Sequence, residues 1–399
     1  MKILKHKHIL LIFGFISCLF ILTGCWGKKE LDELALVSAI AIDESELGYL
    51  VSVQVMVPRE IASDFSDELT TVKLFSDEGE SLFQTIRKLT RDLPRKSYFT
   101  HLMAIIISEN IAKDNMVEIL DFFLRDPEVR PDVPIFIAKD TLAQDILNVL
   151  THIEPIPASK IKKVGLNFQT NYYGVRDTTF LNLVTSIASA GVNPAIMGLT
   201  VYGNKNEGEK NVNIQEIEAK AAIKITDFAI FKNEKLIGWL NEDESRGYSY
   251  LIGEIKNTII TIPCDKNKTQ NLEITSFKNK TKLKMENGKP IINITHQINS
   301  NIAQLGCSID KNNYQKLEKL LEKEIIKDSQ HTLNVIQKKF KSDVVGFGEL
   351  IHRKKPVVWK KLNQNWDDYF VNLTVNLSAE IKINRPGVVD GDVIKKILK

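Results

Sequence analysis

The sequence predicts a multidomain α+β / α/β chain: an N-terminal mixed α/β part, then a C-terminal antiparallel sheet with a long packed helix. Three observations predict it. Strand-like and helix-like segments alternate from residue 35 towards residue 150, the pattern of an α/β unit. Residues 214–301 read mostly as strands. A helical stretch from Asn313 to Phe340 then precedes a last segment in which Val371, Leu373, Val375, Leu377, Ala379, Ile381 and Ile383 alternate with polar residues. A period of two over that length sets one face on a core and the other in solvent.

The chain opens with Lys2, Lys5 and Lys7 and an apolar run from Ile9 to Leu22, too short to span a bilayer. Leu22, Thr23, Gly24 and Cys25 follow, and together they read as a lipobox. Slim side chains before the cysteine suit a signal peptidase cutting after Gly24. The sulfur of Cys25 then takes a diacylglyceryl group and its freed amine a further acyl chain. A buried methylene contributes roughly 0.8 kcal/mol and one acyl chain holds only marginally, so two or three chains make a lasting anchor.

Ala35–Ile42 and Leu50–Val57 flank a polar turn and read as a hairpin. Arg59–Thr71 reads as a loop. Asp77 and Glu80 are expected to open a helix whose stripe is Leu82, Ile86, Leu89 and Leu93, stopped by Pro94. His101–Ile107 reads as a strand, Asn110–Leu124 as a helix and Val133–Ala138 as a strand, and Thr141 is expected to open a further helix. Pro155 and Pro157 suggest a joint. Phe180–Ala190 reads as a helix, and Gly203–Lys210 as an exposed boundary loop. Asn233-Glu234 and Asn287-Gly288 mark two tight turns between strands. On the long helix, Leu317, Leu321, Ile325, Asp328, Thr332 and Ile336 share a partly buried face. The expected division is a signal peptide over 1–24, an N-terminal α/β region over 25–205 with a further joint near 150–158, and a C-terminal α+β domain over 206–399.

Of the 53 lysines and arginines, Lys2, Lys5 and Lys7 lie before Cys25; without them 50 basic residues balance 50 acidic ones. A neutral chain argues against nucleic acid as a partner and against strong docking on anionic headgroups. Cys18 precedes the cut, which leaves Cys264 and Cys307 as either a disulfide or two separate thiols.

No catalytic pattern emerges. There is no Gly-x-Ser-x-Gly and no His-Glu-x-x-His. Gly203 and Gly208 have phosphate-loop spacing, but Glu209-Lys210 follows where Lys-Ser/Thr is needed. His101, His152, His296, His331 and His352 lie too far apart for a ligand spacing, so no metal and no cofactor is expected. Glu242, Asp243 and Glu244 read as a solvated turn rather than as acid/base groups. Trp359, Trp366, Tyr369 and Phe370 suit core or interface packing better than a ligand platform.

Several blocks, in order, resemble the Ger(x)C family, the lipoprotein C subunits of spore germinant receptors. They are Cys25-Trp26-Gly27-Lys28-Lys29-Glu30-Leu31; His101-Leu102, then Arg125-Asp126-Pro127-Glu128-Val129-Arg130; Phe231 to Gly238-Trp239-Leu240, then Glu244-Ser245-Arg246-Gly247; and Asp343 to Gly346-Phe347-Gly348, then Pro356, Trp359, Lys360 and Trp366. Gly27 departs from the family, which more usually has Asp there. The resemblance implies a non-enzymatic subunit working beside a polytopic B subunit and a partly soluble, membrane-anchored A subunit at the outer face of the spore inner membrane, in a complex that answers small nutrients. Arg125, Glu128, Arg130, Trp239, Trp359 and Trp366 are candidate interface residues; the alternative is that they serve only this chain's own turns and salt bridges. Two rivals remain. A solute-binding lipoprotein of a transporter requires two similar α/β lobes, and an anchored hydrolase requires a nucleophile with a base or a metal.

Overall fold

The computed structural model describes residues 30–61, 70–114, 116–172, 178–253, 255–265, 268–304 and 313–384. Cys25, Cys307 and the side chain of Cys264 lie outside the described residues.

Nine strands form the first sheet: β1 Leu34–Ser45, β2 Gly48–Met56, β3 Val72–Gly79, β4 Lys96–Tyr98, β5 Ala104–Ser108, β6 Ile135–Ala138, β7 Ala195–Gly203, β8 Ala221–Lys232 and β9 Lys235–Trp239. The order is β3-β2-β1-β5-β6-β7-β8-β9, with β4 beside the start of β1. The four central strands β1, β5, β6 and β7 run parallel, and antiparallel pairs close both edges. Burial on both faces explains why the central strands are apolar at nearly every position. Ile40, Ile42, Ile105, Ile107, Ile135 and Ile137 enter one core; Ala39, Ala41, Ala104, Ile106, Phe136 and Ala138 enter the other.

The first core is covered by α1 (Leu82–Lys88), α2 (Glu109–Asp114), α3 (Val117–Arg125) and α6 (Phe180–Ala188). The second is covered by α4 (Ala143–Asn148), α5 (Pro157–Asn171) and α7 (Glu242–Ile252). Several local expectations are corrected. Asp77 belongs to β3, and α1 is capped by Ser81, whose hydroxyl accepts from the Gln84 N–H. Thr141 does not cap α4; the buried carboxylate of Asp43, on β1, accepts from the N–H groups of Ala143 and Gln144 at 2.7 and 2.9 Å. Pro157 opens α5 rather than a joint, because proline suits the first helical position. Ala158 and Ile161 then pack in the same core as Ala39. β8 zips antiparallel onto β7 and brings β9 with it, so the first sheet takes in strands after residue 205.

The second sheet has the order β10 (Thr258–Asp265), β11 (Lys268–Glu286), β12 (Lys289–Gln304), β13 (Thr374–Ile383). Asn287 and Gly288 turn the β11–β12 hairpin with φ of 49° and 77°, values that Asn and Gly tolerate best. The last strand starts at Thr374, three positions later than its alternation begins, and it pairs parallel with β12. The parallel pairing has a simple cause: α8 (Asn313–Asn334) carries the chain back along the sheet, so β13 enters from the same end as β12. Leu317, Leu321 and Ile325 of α8 bury against Ile262, Leu272, Phe277 and Ile298.

A polar line crosses this core. Asn279 on β11 donates to the carbonyls of Tyr250 and Leu251 at the end of α7, both at 2.8 Å. Its amide oxygen therefore accepts from His296 Nδ1 at 2.6 Å, and His296 Nε2 accepts from the Ser329 hydroxyl at 3.3 Å. His296 is fully buried, and burial pushes its pKa down to about 4. A proton on Nε2 also forfeits the Ser329 bond. Because the folded value lies below the unfolded one, stability is intact above the unfolded pKa and is lost as pH falls towards the folded one. From pH 7 to pH 5 the wild type is expected to lose about 2 kcal/mol through this group. The stability gap between wild type and His296→Gln, read by urea denaturation at both pH values, should narrow by that amount.

Candidate functional site: a charged groove and the junction of the two sheets

The sequence motifs fall in two places. The first is a groove of about 620 Å³ between α1 and α3. Leu82, Phe83, Ile86, Phe99 and Phe122 give it an apolar lining, and the buried Ser97 hydroxyl beside them has no hydrogen-bond partner among the described residues. Arg125 and Glu128 lie on its rim. Arg125 is exposed and pairs with Asp121 at 2.8 Å, one helical turn back; Lys96 reaches Glu128 at 3.3 Å. Asp126 folds the turn by accepting from the Glu128 N–H at 2.8 Å, and exposed Arg130 grips Asp132 with two bonds. These charges already have partners within the chain, and exposed pairs of this kind contribute roughly 0–1 kcal/mol. Phe83 is 61% exposed and faces outward from the stripe expected for α1, so periodicity alone gave no sign of the groove.

The second place is the junction of the two sheets, where α8 leads through a π-helical turn, Val335–Phe340, into α9 (Phe347–Lys354) and α10 (Pro356–Leu362). Asp343 organises it. Its carboxylate is fully buried and accepts from the N–H groups of Gly346, Phe347 and Gly348 at 2.8, 3.1 and 2.8 Å. Burial raises its pKa to about 6, against the downward pull of those three bonds and of Trp366. Its carbonyl accepts from the Asn193 N–H at 2.8 Å, just before β7.

Glycine lets the two parts touch here. A Cβ on Gly348 would lie 2.6 Å from the Gly191 Cα, and one on Gly191, which has φ of 90°, would lie 2.6 Å from the Trp359 ring. Trp359 and Trp366 are 3% and 6% exposed and meet edge to face at 5.2 Å. Both indoles are thus buried inside this chain. Trp239 is half-buried on β9; it lies over Gly198, where a Cβ would come within 2.6 Å, and under the Lys139 ammonium at 5.2 Å. Ile292 and Ile294 of the second sheet share one core with Ala39 and Phe136 of the first, so the junction is continuous.

The carboxylates at 242–244 are not a solvated turn. They form the first turn of α7, where negative charge suits the helix dipole, and Glu244 completes a capping box with Asn241. Arg246 then bridges Asp243 at 2.7 Å and Asp328 of α8 at 3.1 Å. His101, His152 and His331 lie at the surface, and His352 packs near Trp359. Among the described residues no three His, Cys, Asp or Glu side chains converge as a metal set, and no helix is long and apolar enough to cross a membrane.

The fold and these sites therefore describe a two-sheet scaffold whose family motifs cap, pack and join elements. Two family models match the chain: "Spore germination protein N-terminal domain" over residues 27–201 and "Spore germination B3/ GerAC like, C-terminal" over 226–387. The chain belongs to the Ger(x)C family of spore germination proteins, a family of non-enzymatic C subunits. It is 32% identical to the spore germination protein KC of Bacillus subtilis (strain 168), covering 96% of this chain and 97% of that one. The spore germination protein B3 of the same organism is 25% identical, with 93% and 96% covered. The crystal structure of the GerBC protein is similar in fold, with a TM-score of 0.53 over 86% of this chain and 96% of that one, at 23% identity. The solute-binding rival needed two similar α/β lobes, whereas the two sheets differ in size, strand order and connectivity.

Proposed function

We propose that this chain is the lipid-anchored, non-enzymatic C subunit of a nutrient germinant receptor, held at the outer face of the spore inner membrane beside A and B subunits. The observation that carries the reading is the lipobox ending at Cys25, in a chain of a spore germination family. Leu31, where a 3-10 turn (Leu31–Glu33) leads into β1, follows Cys25 by six positions, and six residues can reach at most roughly 20 Å. An anchor of that reach confines the body to a thin layer. Its effective concentration towards membrane partners rises accordingly, so weak interfaces suffice for assembly. On this reading Arg125 and Glu128, at the charged rim of the groove, and Arg130, in the turn beyond it, offer a surface to neighbouring subunits. Trp239, Trp359 and Trp366 hold the shape that presents it.

Cys25→Ala tests the anchor. The variant should leave precursor or released protein and impair germination by nutrients, while triggers that bypass receptors still work. Full membrane retention with a normal nutrient response would refute the role assigned to Cys25.

A further inference from the structure

The chain's balanced charge hides an unbalanced face. On β11, Lys278, Lys280, Lys282 and Lys284 occupy alternate positions and so point to one side of the second sheet, away from α8. All four are exposed, and none forms an ion pair among the described residues. Successive members stand two strand residues apart, roughly 7 Å. That is inside a Debye length of about 8 Å, so they repel one another.

The neighbouring strands do little to neutralise them. The residues opposite on β12 are Gln297, Thr295, Asn293 and Ile291. Beyond these on β13 come Glu380, Ser378, Asn376 and Thr374. Sheet stability favours opposite charges across strands, and only Glu380 supplies one here. Lys289 and Lys382 share the face, so six lysines stand against Glu273, Glu286 and Glu380. At the hairpin tip, in a notch of about 270 Å³, Gly288, Lys289 and Pro290 meet Val357, Lys361 and Tyr369, and Val357 is 72% exposed. Lysines on a free strand edge also deter pairing between molecules, but charge of either sign does that. The one-sided sign needs another reason.

We propose that this lysine-rich face of the second sheet, from Lys278 to the tip at Gly288, rests on the anionic headgroups of the bilayer. Basic rows beside an anionic leaflet gain from its surface potential, and an exposed apolar residue at the tip suits the boundary between headgroups and acyl chains. The inference rests on the lipid anchor proposed above and adds what a single tether lacks: a fixed side of the body towards the membrane. It also explains how a neutral chain can dock electrostatically.

The test uses the acylated full-length chain on vesicles of phosphatidylcholine alone and of phosphatidylcholine with phosphatidylglycerol. Surface amines are labelled with an impermeant acetylating reagent and mapped by mass spectrometry. On the anionic vesicles, labelling of Lys278, Lys280, Lys282 and Lys284 should fall several-fold against the neutral ones, while Lys210 is unchanged; high salt should restore it. The double variant Lys280→Glu/Lys282→Glu, exposed at both sites, should lose the protection at Lys278 and Lys284 and still float with the vesicles. Equal labelling on both compositions would overturn the proposal, as would protection that appears only when other receptor subunits are present. Failure to float would count against the anchor instead, and vesicles then added in excess at low salt would still read the face.

Discussion

Asp343→Ala is expected to lower the unfolding free energy by about 3–5 kcal/mol. The substitution removes the acceptor of three buried N–H groups, those of Gly346, Phe347 and Gly348, and supplies nothing in its place. Each orphaned donor costs roughly 1–3 kcal/mol, and the losses do not add fully because the loop can relax. Relief of the buried charge, whose pKa burial has raised, offsets part of this. The remainder is still a large share of a typical domain stability of about 5–15 kcal/mol. Asp343→Asn keeps one acceptor oxygen and the shape, and should lose about half as much. Urea denaturation read at the Trp359–Trp366 pair gives the comparison. Equal stability of Asp343→Ala and wild type would show that the carboxylate does not hold the junction.

Gly247→Ala should destabilise by about 2 kcal/mol or more, although alanine is the better helix former by about 1 kcal/mol. A Cβ at this position in α7 would lie 2.2 Å from Thr332 Oγ1 and 2.6 Å from the Asp328 carbonyl oxygen on α8. The second contact is backbone, so a rotamer change cannot relieve it and the helices must separate. Separation would also stretch the Thr332 hydroxyl's bond to the Glu244 carbonyl, 3.1 Å, and the Arg246–Asp328 pair. Gly165→Ala is the control. It too lies in a helix, α5, but its Cβ would meet only the Phe136 ring, at 3.4 Å, so the propensity gain should survive and stabilise the chain by about 0.5–1 kcal/mol. If both glycine variants move the denaturation midpoint the same way, close helix packing at Gly247 is not what that glycine provides.

These contrasts show what the sequence could and could not say. Turns were legible because Asn233 and Asn287-Gly288 carry their backbone geometry in their residue type. The face of α8 and of the π-helical turn after it was legible from helical spacing, and Leu317, Leu321, Ile325, Thr332 and Ile336 are all buried. Long-range partners were not. Nothing local to Thr141 shows that Asp43, a hundred residues away, caps the helix that follows. Nothing in the alternation of the last strand distinguishes parallel from antiparallel pairing, since both keep a period of two. β7 was missed because Ala195–Gly203 mixes two glycines and a threonine among apolar residues, and its partners lie on β6 and β8. Balanced net charge gave no hint of the lysine row, although its alternate spacing on β11 stands in the sequence. The fold shows the local tasks of several motif residues: Asp343 as a cap, Gly348 with Gly191 as a close crossing, Trp359 and Trp366 as buried filling.

The account depends most on the anchor at Cys25. Intact-mass and peptide mass spectrometry of the mature chain purified from spore membranes tests it directly. The expected N-terminal residue is Cys25, carrying a diacylglyceryl thioether and an acylated amine. A chain whose N-terminus lies elsewhere, or a Cys25 with a free thiol, would contradict it.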